Sequence, residues 1–316
     1  MRGGPGGPGG PGGPGGPGGV LVLGEALIDL VPMPSEPEAR RAQPGGAPAN
    51  VAVGLARLRT SVAFAGALGG DGFARSIERR LVGAGVDLSL CARSELPTAL
   101  AVADPGETGT GYHFHLHDTA TFRFPDRAAD AGRFGAVYVG GLAAVVEPAA
   151  RAVASTARAA ARNSLLVVDP NVREDRTIDP CRAIGLLRDL CASAHVVKAS
   201  DEDLLRLWPD RDPDESCRRL AAEGRLVVMT RGARGSTGYT PGAPPVSVPA
   251  VPVDVVNTIG AGDAFMAGVL AWLGTAGGWE RALSPGRTEH MLTFAAQVAA
   301  SVVTQTGTEP SAPAHV

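Results

Sequence analysis

The clearest indication of the architecture of this chain is Val253-Asp-Val-Val-Asn257-Thr-Ile-Gly260-Ala-Gly-Asp263-Ala-Phe-Met-Ala-Gly268. A strand-like run leads into a Gly-Ala-Gly turn, and the turn opens a helix that is apolar almost all round. Small residues in such a turn let backbone amides approach a ligand closely, and the free N–H groups of the first helical turn face the same point. The pattern therefore predicts an anion-binding loop at the amino end of a buried helix.

Asp263 follows this loop directly, although an anion bound there repels a carboxylate. In one interpretation Asp263 caps the helix, since Asp at a helix start contributes about 1 kcal/mol of stability. In the other it is a general base, which takes the proton of a substrate hydroxyl as its oxygen attacks a phosphoryl group. Such a base contributes about 10²–10⁴-fold to the rate. Position alone favours the cap.

The rest of the chain alternates Ala-rich segments of helical periodicity with short apolar, β-branched runs. Alternation of this kind predicts an α/β fold, with a doubly wound, mostly parallel sheet covered by helices on both faces. We predict helices at residues 47–58, 71–82, 147–162, 179–191, 214–223, 261–273 and 288–303, and strands at residues 20–24, 62–64, 136–139, 165–168, 195–197 and 226–229.

Two segments break this alternation. Residues 97–103 and 112–117 flank a Gly-rich turn and predict a β-hairpin, and the polar, Pro-rich residues 31–44 leave the first strand. We expect these segments, with lid boundaries at about 31–44 and 97–124, to form a small antiparallel β lid. Such a lid would lie over the carboxyl ends of the strands, where ligands bind in this class of fold.

The bulk composition limits the classes of protein to which the chain can belong. With 316 residues, 44% of them hydrophobic, residues 20–316 suit one domain, whereas the Gly-Gly-Pro repeats of residues 1–19 bury no surface and predict a disordered tail. The formal net charge of −3 gives no electrostatic footprint for nucleic acid, and no apolar run approaches the ~20 residues that span a bilayer. The four cysteines form no Cys-x-x-Cys pair, which favours reduced thiols in a cytoplasmic protein.

Other patterns bear on metals and nucleotides. His113, His115 and His117 alternate on a predicted strand, but no carboxylate or cysteine completes a zinc site, so we favour a solvated strand face. Lys198 is the only lysine, and the absence of Gly-x-x-x-x-Gly-Lys-[Ser/Thr] excludes a P-loop. No Gly-x-Gly-x-x-Gly follows the first strand, which argues against a dinucleotide oxidoreductase. An ATP site in this chain must use another arrangement.

Gly260-Ala-Gly-Asp263 resembles the carboxyl-terminal signature of the ribokinase-like (PfkB) family of carbohydrate kinases. The resemblance implies that Asp263 is the catalytic base. It also implies that the backbone amides of Gly260, Ala261 and Gly262 form an anion hole for the transferring phosphoryl group. The similarity extends from residue 20 to residue 310, with further motifs in the expected order. These accompanying motifs favour the interpretation of Asp263 as a base over its interpretation as a helix cap.

Two amino-terminal segments resemble the sugar-binding side of this family. In Gly45-Gly46-Ala-Pro-Ala-Asn50 the glycines bring backbone amides onto a ligand, and the Asn offers a donor and an acceptor to sugar hydroxyls. Gly24-Glu-Ala-Leu-Ile-Asp29 resembles the family's first strand, whose closing Asp accepts hydrogen bonds from the sugar. The resemblance thus implies that Asp29, Gly45, Gly46 and Asn50 bind the substrate.

Three further segments resemble the family's phosphate and nucleotide side. Asp169-Pro-Asn171-Val-Arg173 makes Arg173 a candidate for binding substrate or phosphate, or else for a structural salt bridge. Ser200-Asp-Glu-Asp203 stands where the family carries Asn-x-x-Glu, although it also reads as an N-capped helix start. Thr230-Arg-Gly232-Ala-Arg-Gly235 resembles the turn beside the ATP ribose, or is a plain turn. The resemblance implies ATP and Mg²⁺, with ATP bound by Ser200, Asp203, Thr230, Gly232 and Gly235.

The chain also departs from the family pattern at Asn257, Ile259 and Ala47. Asn257 stands where the family usually has Asp, and Ile259 where it often has Thr. Many members bind K⁺ here through oxygen ligands, and we expect a weaker K⁺ site at Asn257 and Ile259 because Asn257 lacks a charge. Ala47 stands where some relatives that bind phosphorylated sugars carry Lys, which favours a neutral hexose.

Together these expectations describe an ATP-dependent kinase of a small sugar, most like fructokinases, with fructose as the expected acceptor. A 2-keto-3-deoxygluconate or nucleoside kinase of the same family is an alternative, and so is a catalytically idle paralogue that binds sugar. The expected partners are the sugar and ATP, without nucleic acid or membrane. The exposed edges of a β lid also favour a homodimer that forms through the lid.

Overall fold

The structure is a computed structural model, and it describes residues 18–33, 36–106, 109–173, 175, 177–275, 285–305 and 309–310. Almost all of the predicted tail, residues 1–17, lies outside the described residues. So do residues 306–308, which belong to the loop after the last predicted helix.

Eight strands form the central sheet. The six strands from β12 to β4 run parallel, whereas β13 and β14 add an antiparallel edge. The predicted doubly wound, mostly parallel sheet is therefore confirmed, as are the six strands predicted at residues 20–24, 62–64, 136–139, 165–168, 195–197 and 226–229, although several ends differ by a few residues. In spatial order the strands are β14 (Val246–Val248), β13 (Ser236–Tyr239), β12 (Leu226–Thr230), β11 (Val196–Ser200), β10 (Leu165–Asp169), β9 (Ala136–Gly140), β1 (Val20–Leu23) and β4 (Val62–Ala65).

Helices cover both faces of this sheet, and all seven predicted helices are present. Successive side chains of a strand point to opposite faces, so Leu21 and Leu23 of β1 pack in one core while Val20 and Val22 pack in the other. The core that contains Leu21 includes α3 (Ala149–Asn163), α4 (Pro180–Ser193), α5 (Asp201–Leu207) and α6 (Pro213–Ala222), and the second core includes α1 (Ala47–Arg57), α2 (Gly72–Ala84), α7 (Ala261–Thr275) and α8 (Pro285–Val303).

A separate four-stranded sheet is formed by the segments that interrupt the alternation. Its order is β3 (Glu36–Gly45), β2 (Leu27–Met33), β7 (Leu100–Gly106) and β8 (Gly109–His115). The predicted hairpin is confirmed as β7–β8, and β2–β3 is also antiparallel. The expectation of a wholly antiparallel patch is wrong, because β2 and β7 pair in parallel. They can do so because a long crossover, which includes α1 and α2, connects them. A short parallel pair, β5 (Ala67–Leu68) and β6 (Ala92–Arg93), completes the strands.

Two local expectations are wrong. Asp29 does not close the first strand, because β1 ends at Leu23 and Asp29 lies within β2 of the smaller sheet. The run at residues 253–256 is not a strand, and the side chains of Val255 and Val256 are 62% and 59% exposed. The backbone N–H of Val256 donates instead to the carbonyl of Val303 at the end of α8, over 2.7 Å, so no ladder forms.

Helix α7 is buried because it lies between α1 and α8. Its apolar side chains, among them Phe265, Met266 and Leu270, pack in the core. The approach of α8 is close enough that a Cβ atom on Gly268 would lie 2.8 Å from the Cα atom of Ala295. Only glycine leaves room for this backbone contact, which fixes where the amino end of α7 lies.

The described residues also bear on two composition-based expectations. All four cysteines lie within the described residues and are free, as expected, with Cys191 and Cys217 buried. Among the described helices, none combines the length and the apolarity that crossing a membrane requires.

We predict that Gly268→Ala lowers the free energy of unfolding by about 1–3 kcal/mol, because the new methyl group forces α7 and α8 apart. The matched control is Gly274→Ala on the same helix, where a Cβ atom has no heavy atom within 4 Å. There the gain in helix propensity should stabilise the protein by up to about 1 kcal/mol. Urea unfolding of both variants measures the difference, and equal stabilities would contradict this account of the packing.

Candidate active site

A cavity of about 250 Å³ lies between the four-stranded sheet, the carboxyl ends of central strands and the amino end of α7. The sheet side contributes Leu27, Ala101, Tyr112 and Phe114. Most of the residues predicted from the sequence as substrate-binding or catalytic meet here, although they come from distant parts of the chain. The predicted residues that line the cavity are Asp29, Gly46, Asn50, Arg173, Ile259, Gly260, Gly262 and Asp263.

Asp263 lies in the first turn of α7, and its carboxylate makes a tertiary contact. Its Oδ2 atom accepts a hydrogen bond from Nδ2 of Asn50 over 2.8 Å. Asn50 lies in α1 and is only 7% exposed. Asp263 is the third residue of its helix rather than the residue before it, so the cap interpretation is wrong. The carboxylate is held toward the cavity by another helix.

Burial and charge act on the Asp263 carboxyl in opposite directions. Burial raises its pKa above the ordinary value, whereas the hydrogen bond from Asn50 and the nearby cations Lys198, Arg173 and Arg80 lower it. The net direction is upward. A carboxylate with a raised pKa binds a proton more strongly, which suits a general base that works near neutral pH.

Asp29 shares this environment. Burial, together with the negative charge of Asp263, raises its pKa to about 6. Gly45 packs directly against this side chain, since a Cβ atom on Gly45 would lie 1.9 Å from Oδ2 of Asp29. Gly45 thus leaves room for the Asp29 side chain, and Gly46, the next residue, lines the cavity.

The residues of the predicted anion hole, Gly260, Ala261 and Gly262, lie at the start of α7, and the binding of an anion by them stays a prediction. Gly260 adopts a positive φ of 80°, and the N–H of Ala264 donates to its carbonyl over 2.9 Å, so the helix starts at this point. Gly260 and Gly262 line the cavity. The N–H of Ala261 instead donates to the carbonyl of Thr258 over 3.3 Å. Two of the three predicted residues therefore face the space where an anion would lie.

Lys198 is a cavity residue to which the sequence interpretation gave no role. Its Nζ atom pairs with Oδ2 of Asp169 over 2.9 Å, and its side chain is 7% exposed. Burial alone would lower its pKa, but the carboxylates of Asp169, Asp203 and Asp263 raise it above the ordinary value. A Cβ atom on Gly262 would lie 3.4 Å from this Nζ atom, so a fixed positive charge lies beside the anion loop. The only signal in the sequence was a lysine within an apolar strand.

Glu25 is a second cavity residue that received no role. It is 2% exposed, and its carboxyl accepts hydrogen bonds from the N–H groups of Leu142 over 3.2 Å and Ala143 over 2.9 Å. Burial raises its pKa to about 7, against the effect of these hydrogen bonds. The side chain thus ties the segment after β1 to the segment after β9, beneath the cavity.

The predicted nucleotide-binding residues lie outside the cavity lining. Ser200 and Asp203 form a capping box at the start of α5, so the interpretation as a capped helix start is confirmed. The Oδ1 atom of Asp203 accepts a further hydrogen bond from the N–H of Val172 over 2.9 Å. Thr230 ends β12, and Gly232 and Gly235 lie in the turn that leads to β13. The binding of ATP by these five residues stays a prediction.

The possible cation site and the histidines give no metal cluster among the described residues. Oδ1 of Asn257 accepts a hydrogen bond from the N–H of Ile259 over 3.0 Å, so this oxygen already has a partner. His113, His115 and His117 are exposed, as the solvated strand face predicts. Within the described ranges, no group of three or more His, Cys, Asp or Glu residues is placed to hold a metal ion.

We predict that Glu25 makes the protein less stable as the pH rises from 4.5 to 7. In this window the folded protein keeps the proton, because the pKa of Glu25 is about 7 rather than its ordinary 4.5, while the unfolded chain releases it. The loss reaches about 3 kcal/mol by linkage. In urea unfolding across this pH range, the free energy of unfolding should fall less steeply for Glu25→Gln than for the wild type. Parallel pH curves for the variant and the wild type would contradict the raised pKa of Glu25.

Comparison with known proteins agrees with this arrangement. A fructokinase of Rhizobium leguminosarum bv. trifolii is 32% identical over 262 residues, which cover 80% of this chain and 79% of that protein. The crystal structure of a fructokinase from Xylella fastidiosa with bound ATP superposes with a TM-score of 0.84 at 28% identity, covering 93% of this chain and 95% of that one. A fructokinase from Vibrio cholerae O395, a double mutant with fructose, ADP and a potassium ion bound, gives a TM-score of 0.79 at 28% identity and covers 92% and 93%.

The family assignment rests on nearly the whole chain. Residues 18–315 match the pfkB family of carbohydrate kinases. The match includes both segments that meet in the cavity, the one that carries Asn50 and the one that carries Asp263. The chain is thus a member of the pfkB family of carbohydrate kinases.

Proposed function

We propose that this carbohydrate kinase transfers the γ-phosphoryl group of Mg²⁺-bound ATP to a hydroxymethyl group of fructose, with Asp263 as the base. The observation that carries the proposal is a half-buried carboxylate at the amino end of α7, facing a polar cavity of about 250 Å³. A cavity of this size is at the lower end for small-molecule sites and suits a monosaccharide. The fructokinase relatives support fructose as the acceptor.

The chemical step needs one base and a stabilised phosphoryl group. Asp263 accepts the proton of the acceptor hydroxyl, the hydroxyl oxygen forms a bond to the γ-phosphorus, and the bond from the γ-phosphorus to the bridging oxygen of ADP breaks. The amides at Gly260 and Gly262 and the cation of Lys198 lie on the side where negative charge develops. After transfer, the proton stays on Asp263 and then leaves to solvent or to the products.

The sugar is held by the residues around Asp29 and Asn50. Asp29 accepts hydrogen bonds from sugar hydroxyls, Asn50 and the Gly45–Gly46 segment lie beside it, and Arg173 is at the exposed rim. Ala47 gives no positive charge at the cavity wall, which favours an uncharged sugar over a phosphorylated one. A sugar acid would pair its carboxylate with Arg173, so Arg173 is the residue that distinguishes the two classes of acceptor.

The metal requirements follow from the ligands that are present. Among the described residues, no group of three or more His, Cys, Asp or Glu side chains is placed to hold a metal ion, so Mg²⁺ suits a site made mainly by ATP phosphates and water, with Ser200 and Asp203 as the predicted contributors from the protein. The ion would neutralise phosphate charge. We expect weak K⁺ dependence, because Asn257 is uncharged and its Oδ1 atom accepts a hydrogen bond from Ile259.

The wider setting is also part of the proposal. The edges of the four-stranded sheet, β3 and β8, offer unpaired backbone groups, which favours a homodimer through this lid. The formal charge of −3 gives no reason to expect nucleic acid as a partner. We propose a cytoplasmic enzyme whose partners are its sugar and ATP.

We predict that Asp263→Asn lowers kcat by about 10²–10⁴-fold, because the amide cannot take the proton while its shape is nearly unchanged. The matched control is Asp210→Asn, an exposed position away from the cavity, which should keep the wild-type rate. ADP release with fructose as acceptor measures both. A wild-type kcat in folded Asp263→Asn would show that another group is the base.

We predict that, in an ADP-release assay over sugars, sugar acids and nucleosides, fructose gives the highest kcat/KM. The reason is that the cavity is small and Ala47 leaves it without a cation on that wall. Running the panel with and without K⁺ tests the weak cation dependence in the same experiment. A higher kcat/KM for 2-keto-3-deoxygluconate or for a nucleoside would show that fructose is not the preferred acceptor, although the protein would still be a kinase. Sugar-dependent thermal stabilisation without any ADP release would indicate an idle sugar-binding protein instead.

A further inference from the structure

Arg80 is a buried cation that no part of the mechanism above uses. It lies on α2, and its side chain is 12% exposed. Its Nη1 atom donates to Oδ1 of Asn50 over 2.9 Å and to the carbonyl of Pro44 over 3.1 Å. Asn50 in turn donates to Asp263. A continuous chain of hydrogen bonds therefore runs from Arg80 through Asn50 to the base.

This chain determines which way the Asn50 amide faces. A guanidinium group only donates hydrogen bonds, so it can face only the oxygen of the amide. Nδ2 of Asn50 is then left to donate to Oδ2 of Asp263, as observed. Because Oδ2 is engaged, the proton of the acceptor goes to Oδ1 of Asp263. Without Arg80, only the acceptor-only carboxylate of Asp263 would orient the amide, and the oxygen side of the amide would lose a hydrogen bond that now fixes it.

Arg80 also contacts the sugar-binding side. Pro44, which accepts its second hydrogen bond, directly precedes the Gly45–Gly46 segment of the cavity wall. One side chain thus fixes the backbone that approaches the sugar and the amide that holds the base. A change in either distance would alter the geometry of attack, to which phosphoryl transfer is sensitive.

Arg80 also contacts Glu309. Burial lowers the pKa of Arg80, and the negative charge of Glu309 opposes this effect. Its Nε atom lies 3.6 Å from Oε1 of Glu309, whose side chain is 37% exposed and also pairs with Arg57. Partly exposed ion pairs of this kind contribute little to stability. The partly buried hydrogen bonds to Asn50 and Pro44 are therefore the contacts that link Arg80 to the active site.

We propose that Arg80 is a positioning residue for phosphoryl transfer, which acts through Asn50 to hold the Asp263 carboxylate in its reactive orientation. The inference rests on the proposed role of Asp263 as the base. It predicts an effect on kcat rather than on ATP binding, because the hydrogen bonds of Arg80 go to Asn50 and Pro44 on the sugar-binding side.

Arg80 also has an electrostatic effect on the base. Its positive charge lowers the pKa of Asp263 and of Asp29, in opposition to burial. Removing the charge should therefore raise the pKa of the base and move the acid limb of the kcat/KM profile to higher pH. The other charged or titratable groups that face Asp263 are Glu25, Asp29, Tyr138, Asp169, Arg173 and Lys198.

The experiment compares Arg80→Met, which keeps the aliphatic stem, with Arg80→Lys, which keeps the charge, and with Arg79→Met. Arg79 is the neighbouring, exposed arginine on α2 and is the matched control. We expect Arg80→Met to lower kcat by about tenfold or more, with the acid limb moved to higher pH and KM for ATP within about twofold of wild type. Arg80→Lys should keep the wild-type acid limb with a partial loss of kcat, and Arg79→Met should match wild type.

A double-mutant cycle with Asn50→Ala tests whether Arg80 acts through Asn50. If it does, the double variant is no slower than Asn50→Ala alone, so the two effects are not additive. Additive losses of kcat in the double variant would overturn the inference. So would a wild-type kcat and pH profile in Arg80→Met, once a thermal unfolding curve has shown that this variant is folded. The variant Asp263→Asn shows which of the two claims fails. If Asp263→Asn is inactive but Arg80→Met is fully active, only the role of Arg80 is wrong. If Asp263→Asn is active, Asp263 is not the base.

Discussion

The whole site depends on the hydrogen bond between Asn50 and Asp263, which joins two residues that are 213 positions apart in the sequence. It exists because α1 and α8 enclose α7 closely enough to bring the first turn of α7 against the side of α1. Glycine at position 268 permits that approach. The packing of three helices on one face of the sheet thus fixes the direction of a single carboxylate.

The same packing brings several carboxyl groups together in a buried region, which raises their pKa values. Glu25, Asp29, Asp169 and Asp263 are brought near one another, and burial raises the pKa of each carboxyl. The opposing cations are Lys198, which pairs with Asp169, together with Arg80 and Arg173. Carboxylates in such surroundings take up protons more readily than in water, as a base for a sugar hydroxyl must. Burial and the nearby cations together leave a carboxylate that can accept a proton. Beside the anion loop, Lys198 supplies a positive charge that can stabilise negative charge.

Much of this could be predicted from the sequence. Periodicity located the parallel strands and all seven predicted helices, because long Ala-rich segments and β-branched runs determine local structure strongly. The Gly-Ala-Gly-Asp and Gly-Gly-Ala-Pro-Ala-Asn runs indicated the residues that meet in the cavity. Asp29 was correctly placed among them, although its strand was not, since a short apolar run does not show which of two sheets it joins.

The rest depends on tertiary contacts that leave no local pattern. Residues 253–256 have the composition of a strand, yet the N–H groups of Val256 and Asn257 donate to the carbonyl of Val303 at the end of α8, so a strand was predicted where none forms. Glu25, Lys198 and Arg80 received no role because each gains its meaning from a partner far along the chain: the amides of Leu142 and Ala143, the Asp169 carboxylate, and the Asn50 amide. For Glu25 and Lys198, a lone charged residue within an apolar segment was the only sign available, and Arg80, which directly follows Glu78 and Arg79, offered none.

The most direct test of the central claim is a crystal structure of the protein with fructose and a non-hydrolysable ATP analogue bound. The account predicts that a hydroxymethyl oxygen of the sugar lies about 2.6–3.2 Å from Oδ1 of Asp263, with Oδ2 still accepting from Asn50. It also predicts that the terminal phosphate faces Gly260, Gly262 and Lys198. Fructose bound with its nearest hydroxymethyl oxygen on Asp29 or Glu25, and with Asp263 facing neither sugar nor phosphate, would contradict the account.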